Sequence, residues 1–259
     1  MTPPPGGGYP GENTALGDDA LFSLQPNAHD NVALGIDALY HDTSGTSNTA
    51  AGAFALFSNT TGAANTAVGS QALYNNTNGY ANTAVGLSAL ASATTATGNT
   101  AVGNVALTST TGSSNTAVGH AALTLDSTGI DNCAFGYEAL LENSTGSSNI
   151  ALGKDALNLC TTGSNNIAIG VLAASKVIAG NYDIVIGTVG GGPKESNTIR
   201  IGTPGIQNHA YIAGIYGGTV SGVSVMVDSS GRLGTATSSA RFKETIKPMD
   251  KVSEALLKL

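Results

Sequence analysis

The sequence predicts an all-β fold, a parallel β-solenoid with coils of about 17 residues, and three observations carry that prediction. Ten pentads of the form Asn-x-Ala-x-Gly begin at Asn13, Asn31, Asn48, Asn65, Asn82, Asn99, Asn115, Asn132, Asn149 and Asn166, a spacing of 16 to 18 residues. That period is too short for two-helix repeats and fits one solenoid turn. A second mark, Ala-Leu, occupies the third and fourth positions after the pentad glycine, from Ala20-Leu21 to Ala156-Leu157. The third observation is compositional: 259 residues hold 35 Gly, 8 Tyr, 5 Phe and no Trp. Bulky side chains are too few for a conventional core, so small ones must be gathered by regular stacking.

The chain is read in four parts, beginning with a flexible Pro/Gly stretch over residues 1–11. Residues 12–187 form the repeat body. Within each pentad the second and fourth positions are mostly β-branched or aliphatic and alternate onto one face, which the pattern assigns to the interior. Alanine at the third position in all ten copies implies a crowded site with room for one methyl group. Asparagine at the first position is expected to pair its amide with the same amide one coil along, and glycine at the fifth to bend the chain through positive φ. Stretches such as Asn59–Gly62, Thr110–Gly112 and Ser144–Gly146 read as surface turns, where the length variation falls. The segments after each glycine are too short for stable helices.

Ten coils at roughly 4.8 Å each give a rod about 45 Å long. One such coil buries little area, and this deficit predicts three chains wrapped about a common axis, a homotrimer. Residues 188–237 are a strand-rich cap or neck, with strands expected at Thr198–Gly202, Tyr211–Gly214 and Val223–Val227 and a turn over Asp228–Gly231. Residues 238–259 change character again: Arg241, Lys243, Lys247 and Lys251 mix with Val252, Leu256 and Leu257, and a helix is expected over 250–259.

Charge separates these regions. Residues 1–175 contain one basic residue, Lys154, against eleven acids, whereas residues 176–259 contain nine basic residues against six acids. The net charge of -7 argues against nucleic acid as a partner. No apolar run is long enough to span a membrane as a helix, and residues 1–11 lack the pattern of a secretory signal. Cys133 and Cys160 read as free, buried thiols. His29, His41, His120 and His209 stand in different repeat phases, so neither a metal nor another cofactor is expected. Asp18, Asp19, Asp30, Asp37 and Asp42 read as a solvated acidic tip. Gly190–Ser196 lacks the order of a phosphate loop and reads as a turn, and no paired carboxylates or Ser-His-Asp arrangement suggests a depolymerase.

The Asn-Thr-Ala-Val-Gly blocks resemble the left-handed parallel β-roll heads of trimeric autotransporter adhesins and, more closely, repeat-bearing tail-fibre or surface proteins. The segment Ser238-Ser239-Ala240-Arg241-Phe242-Lys243-Glu244-Thr245-Ile246-Lys247-Pro248-Met249-Asp250 resembles the start of an endosialidase-type intramolecular chaperone. The second resemblance implies chaperone-assisted trimer assembly followed by self-cleavage between Thr237 and Ser238, with Ser238 as nucleophile and Lys243 as base. Such a lysine has to be desolvated or crowded by positive charge before it accepts a proton, and Arg241 would supply crowding. Ser239 stands where many members carry Asp. Only 22 residues run from Ser238 to Leu259, so a truncated chaperone that does not cut itself is expected.

Together these resemblances imply a phage tail fibre, at the virion or outside the cell, that attaches to a host surface receptor or glycan. A bacterial adhesin of the trimeric autotransporter type is the alternative. An ice- or carbohydrate-binding solenoid is a third, weakened by threonines such as Thr60, Thr61, Thr77, Thr110 and Thr111 that promise an uneven row.

Overall fold

The computed structural model describes residues 11–212, 224–229 and 231–235. It divides into two units, residues 1–203 and 204–259. The first is a parallel β-solenoid. Its strands are β1 (Thr14–Leu16), β2 (Val32–Leu34), β3 (Thr49–Ala51), β4 (Thr66–Val68), β5 (Thr83–Val85), β6 (Thr100–Val102), β7 (Thr116–Val118), β8 (Cys133–Phe135), β9 (Ile150–Leu152), β10 (Ile167–Ile169), β11 (Ile184–Ile186) and β12 (Ile199–Ile201). These form one twelve-stranded sheet in chain order. Each strand from β1 to β10 is the middle of one pentad, and pairing is in strict repeat register, as in Thr66↔Thr83, Ala67↔Ala84 and Val68↔Val85. Register survives the short link before Asn115, where Thr100 still faces Thr116.

Backbone hydrogen bonds alternate direction along the coil. Thr49 N donates forward to Asn65 O, and Gly52 N donates back to Leu34 O. Beyond the strand the ladder continues: Phe54 N donates to Ile36 O, and Leu56 N to Ala72 O. The turns are tied to the next coil in the same way, as where Thr60 N and Thr61 N both donate to Thr77 O, which keeps six to eight residues without helix or strand ordered.

The expected inward face is corrected by the structure. The third-position alanines, Ala33 to Ala168, are fully buried, and the flanking second and fourth positions turn outward, with Val68, Phe135, Leu152 and Ile169 exposed. The alternation was right in period and reversed in sense. In the ten pentad coils the strand's inner side is filled by a methyl and the larger groups go out, and the inner side admits a branched side chain only at the buried Val185 of β11.

The interior is completed by the Ala-Leu pairs, both buried in every coil from Ala20-Leu21 to Ala156-Leu157. These leucines sit at φ of 50 to 55°, in the left-handed region. That conformation costs about 1–2 kcal/mol for a side chain with a Cβ. Burying a leucine recovers about 1.5–3 kcal/mol, so burial wins. The pentad glycines Gly17 to Gly170 lie at φ of 120 to 148°, a range that only glycine occupies readily. From Gly17 to Gly153, an added Cβ would also come within 3.0 Å of the next coil's glycine carbonyl.

The last coil departs from the pattern at its inward positions. Arg200 pairs with Val185 at the position where the ten pentad coils place alanine, and Thr198 takes the asparagine position, its N–H bonded to Asp183 Oδ1 at 2.9 Å. A polar terminal coil limits further stacking.

In the second unit β13 (Val225–Val227) and β14 (Leu233–Thr235) form an antiparallel pair, with Asp228 accepting from Gly231 N at its carbonyl and from Arg232 N at its carboxylate. Tyr211 and Ile212 are not in a strand. The expected helix over 250–259 lies outside the described residues.

Candidate functional site

Two features of the solenoid have chemical character: the outward face of the sheet and the polar rows inside it. Across β1–β12 the outward side chains are Thr, Val, Leu, Ala, Cys, Phe or Ile, and none is charged. From β3 to β7 the face pairs Thr49, Thr66, Thr83, Thr100 and Thr116 with Ala51 or Val. From β9 to β12 it is wholly Ile and Leu, and Ile199 and Ile201 are 68% and 73% exposed. Because strands pair residue on residue, these side chains form two straight rows with one member per coil, about 4.8 Å apart.

The first internal row is the asparagine of the pentad. Asn82 is typical: its backbone N–H and its Nδ2 both donate to Asn65 Oδ1, at 3.0 and 3.1 Å, and Nδ2 also donates to Ala96 O at 2.8 Å. Its own Oδ1 accepts the N–H of Asn99 at 3.0 Å. The amide-on-amide pairing read from the sequence is therefore present at five of the nine steps, along Asn31–Asn48–Asn65–Asn82 and Asn132–Asn149–Asn166, and Nδ2 closes the turn of the same coil as well. The row ends at Asp183, whose Oδ2 is buried without a hydrogen-bond partner. Burial raises its carboxyl above the ordinary range.

A second internal row went unread in the sequence. It runs Leu24, Asp42, Asn59, Asn76, Ala93, Thr110, Asp126, Asn143, Cys160 and Val177, and every member from Asp42 onward is buried. Asp42 thus does not belong to a solvated acidic tip, and Asn59 and Thr110 are not surface residues. Asn59 Nδ2 donates to Asp42 Oδ1 and Asn76 Nδ2 to Asn59 Oδ1, each at 2.8 Å. The pattern recurs where Asn143 Nδ2 donates to Asp126 Oδ1 at 2.8 Å. Both runs end abruptly: Asn76 Oδ1 and Asn143 Oδ1 are buried without a partner where Ala93 and Cys160 come next. Burial pushes the carboxyls of Asp42 and Asp126 up to about 6 and the Cys160 thiol up to about 11. The signal that marks this row is a glycine three residues on, at Gly45, Gly62, Gly79, Gly129 and Gly146, where an added Cβ would collide with the Asp or Asn oxygen.

On the outside, Phe22, Tyr40, Phe57 and Tyr74 stack at centroid distances of 4.9, 5.4 and 5.2 Å, with His41 and Phe54 edge-on. Farther along, the same positions are Ala91, Thr108 and Thr124, so the fold does not require the rings. The threonine row is regular rather than uneven: Thr43, Thr60, Thr77, Thr111, Ser127, Ser144 and Thr161 share one phase. Each hydroxyl donates to a carbonyl of the next coil. Those donors are occupied by the fold, which weakens the ice- or sugar-binding alternative. Thr110 is buried and donates to Asp126 Oδ2 at 2.8 Å.

Cys160 is a free buried thiol, and Cys133 is free but half-buried on the outward face. His29 pairs with Asp30, and His120 stacks on Tyr137. Among the described residues no three His, Cys, Asp or Glu side chains are placed to hold a metal ion, and no helix is long and apolar enough to cross a membrane. Ser238 and Lys243, with the Thr237–Ser238 bond, lie outside the described residues.

No family model matches the chain, and a search of curated proteins finds no match. The chain is a repeat protein with a parallel β-solenoid fold, consistent with a structural or adhesive role.

Proposed function

We propose that this protein is a segment of an attachment fibre, a phage tail fibre by preference, working as a homotrimer at the virion or cell surface. One observation carries the reading: two uncharged rows of side chains run along the outward face of the ladder from β1 to β12. Leaving such a strip in water is costly, since each fully buried Val, Leu or Ile is worth about 1.5–3 kcal/mol. A surface with one side chain per coil is matched in pitch by another copy of itself. With no charge on it, such a copy meets no repulsion. Three copies facing a common axis also repair the poor core of a single coil, where the strand contributes only alanine.

The fibre's outer surface would then meet a host receptor or glycan. The segment from Ser238 is proposed as the start of a chaperone that aids trimer assembly, with Ser238 and Lys243 as nucleophile and base for release at Thr237. A product ending at Thr237, sought by mass spectrometry, would overturn the expectation that this chain stays uncut.

Sedimentation equilibrium tests the trimer. The native chain is expected at three times its 25.6 kDa mass, and Ile167→Glu with Ile184→Glu is expected at the mass of one chain with its β-rich circular dichroism retained. A native protein that sediments as a monomer and unfolds cooperatively would refute the reading.

A further inference from the structure

The two aspartates of the second internal row occupy positions that asparagine fills in neighbouring coils, and the comparison shows what a carboxylate lacks there. Asn59, Asn76 and Asn143 each donate Nδ2 to the carbonyl of the glycine three residues on, at 3.1, 3.2 and 3.0 Å. An ionised aspartate has no hydrogen to give to that carbonyl. Asp42 Oδ1 accepts from Gly45 N at 3.1 Å and from Asn59 Nδ2 at 2.8 Å, and Oδ2 has only Asn31 Nδ2 at 3.4 Å. Asp126 Oδ1 accepts from Gly129 N and Asn143 Nδ2, and Oδ2 from Thr110 Oγ1.

Among the described residues no cation faces either carboxylate. The groups around Asp42 are Leu24 one coil back, Asn31, Gly45 and Asn59, and those around Asp126 are Thr110, Gly129 and Asn143. The adjacent His41 has its ring in the outer aromatic stack against Tyr40 and Phe57. The sequence has no Lys or Arg before Lys154. These are two fully buried carboxylates with hydrogen-bond donors but no counter-charge.

We propose that Asp42 and Asp126 make the solenoid a proton-loaded rod: protonated, each repeats the asparagine pattern and locks its coil, and ionised, each leaves a charge in the core that loosens it. The device gives a fibre that is tightest in mild acid, with its neutral-pH opening points set at the coils beginning at Asn31 and Asn115. Protonation supplies the hydrogen missing at Oδ2, and the acceptor is the carbonyl of Gly45 or Gly129. Burial, which raises both carboxyls, agrees in direction. A carboxyl raised in the folded state favours folding fully below its unfolded value of 3.8, and that advantage is lost as pH rises through about 6. A shift of about two units is worth up to roughly a hundredfold in the folding constant at each site. The inference concerns the interior of one chain and holds whether or not copies associate.

The test uses the full chain in two ways. Carboxyl-carbon NMR across pH 3 to 8 is expected to show two aspartates titrating near 6, both absent from the spectrum of Asp42→Asn with Asp126→Asn. Thermal unfolding is expected to show the native midpoint falling from about pH 4 and levelling off by about pH 7. The double variant should lose most of that fall and melt above the native chain at pH 8. The residual slope belongs to Asp183, whose carboxyl burial also raises. Both aspartates titrating below 4.5 in the native chain would overturn the proposal, and this reading does not depend on the variant folding. A native midpoint that is flat or rises from pH 5 to 8 would overturn it too.

Discussion

The two internal polar rows solve the same problem with different strictness. In the first, one asparagine per coil accepts a main-chain N–H of the next coil at Oδ1 and donates Nδ2 to a carbonyl of its own turn, at ten successive positions from Asn13 to Asn166. In the second, the side chain mainly closes its own turn and bonds one neighbour, and the row survives interruption by Ala93, Thr110, Cys160 and Val177. The difference lies in the backbone. Oδ1 of the first row accepts a main-chain N–H of the next coil, as Asn65 does from Asn82. Removing that acceptor orphans a buried donor of the neighbouring coil, whereas the second-row Asn59, Asn76 and Asn143 accept no main-chain N–H, and Asp42, Thr110 and Asp126 accept one only from a glycine of their own turn.

The largest expected effect follows directly. Asn82→Ala is expected to cost about 3–4 kcal/mol in denaturant unfolding, because it strands Asn99 N–H and Ala96 C=O inside the coil. Asn76→Ala, in the second row, is expected to cost about 1–2 kcal/mol, since its Oδ1 has no partner to lose. Equal losses would remove the distinction between the rows.

The next effect sharpens it. Ala93 is followed three positions later by Ala96 rather than glycine, and in the coils with Asn59, Asn76 or Asn143 a Cβ at that glycine would strike the amide oxygen. Ala93→Asn alone and Ala96→Gly alone are both expected to destabilise. Together they should extend the row, give Asn76 Oδ1 a donor, and show a favourable coupling of about 1–3 kcal/mol in a double-mutant cycle. Additive losses would contradict the pairing. The smallest effect is at Gly98, which lies at φ 66° just before the first-row Asn99, where an added Cβ would meet only Ser114 at an ordinary contact distance of 3.9 Å. Its counterparts Ala64 and Ala81 hold φ of 54° and 56°. Gly98→Ala is expected to cost no more than about 1 kcal/mol by thermal unfolding.

What the sequence disclosed follows the same division. The strands and their register were legible because Asn, Ala and Gly recur at fixed spacing, and each of those residues is confined by the coil before and after it. The sense of the strand was not, because Thr, Val and Ile at the flanking positions look like core residues. The invariant alanine was the better guide, since the inner side of the strand in the pentad coils is filled by one methyl group. The second row was hidden by its own tolerance: Asp, Asn, Ala, Thr, Cys and Val share no chemical class. Its trace is the glycine that accompanies Asp42, Asn59, Asn76, Asp126 and Asn143 and disappears at Ala96. Ser238 and Lys243 were read from a resemblance, and they fall beyond the described residues.

Residue-resolved amide hydrogen exchange tests most directly whether an unbroken asparagine row holds the rod from within. The N–H groups of Asn48, Asn65, Asn82, Asn99 and Asn115, each bonded to the preceding asparagine's Oδ1 at 2.8–3.0 Å, are expected to be among the slowest and to exchange together, with no step where Ala93 breaks the second row. A drop in protection between Asn82 and Asn115, or exchange at these amides as fast as at the exposed turns, would contradict it.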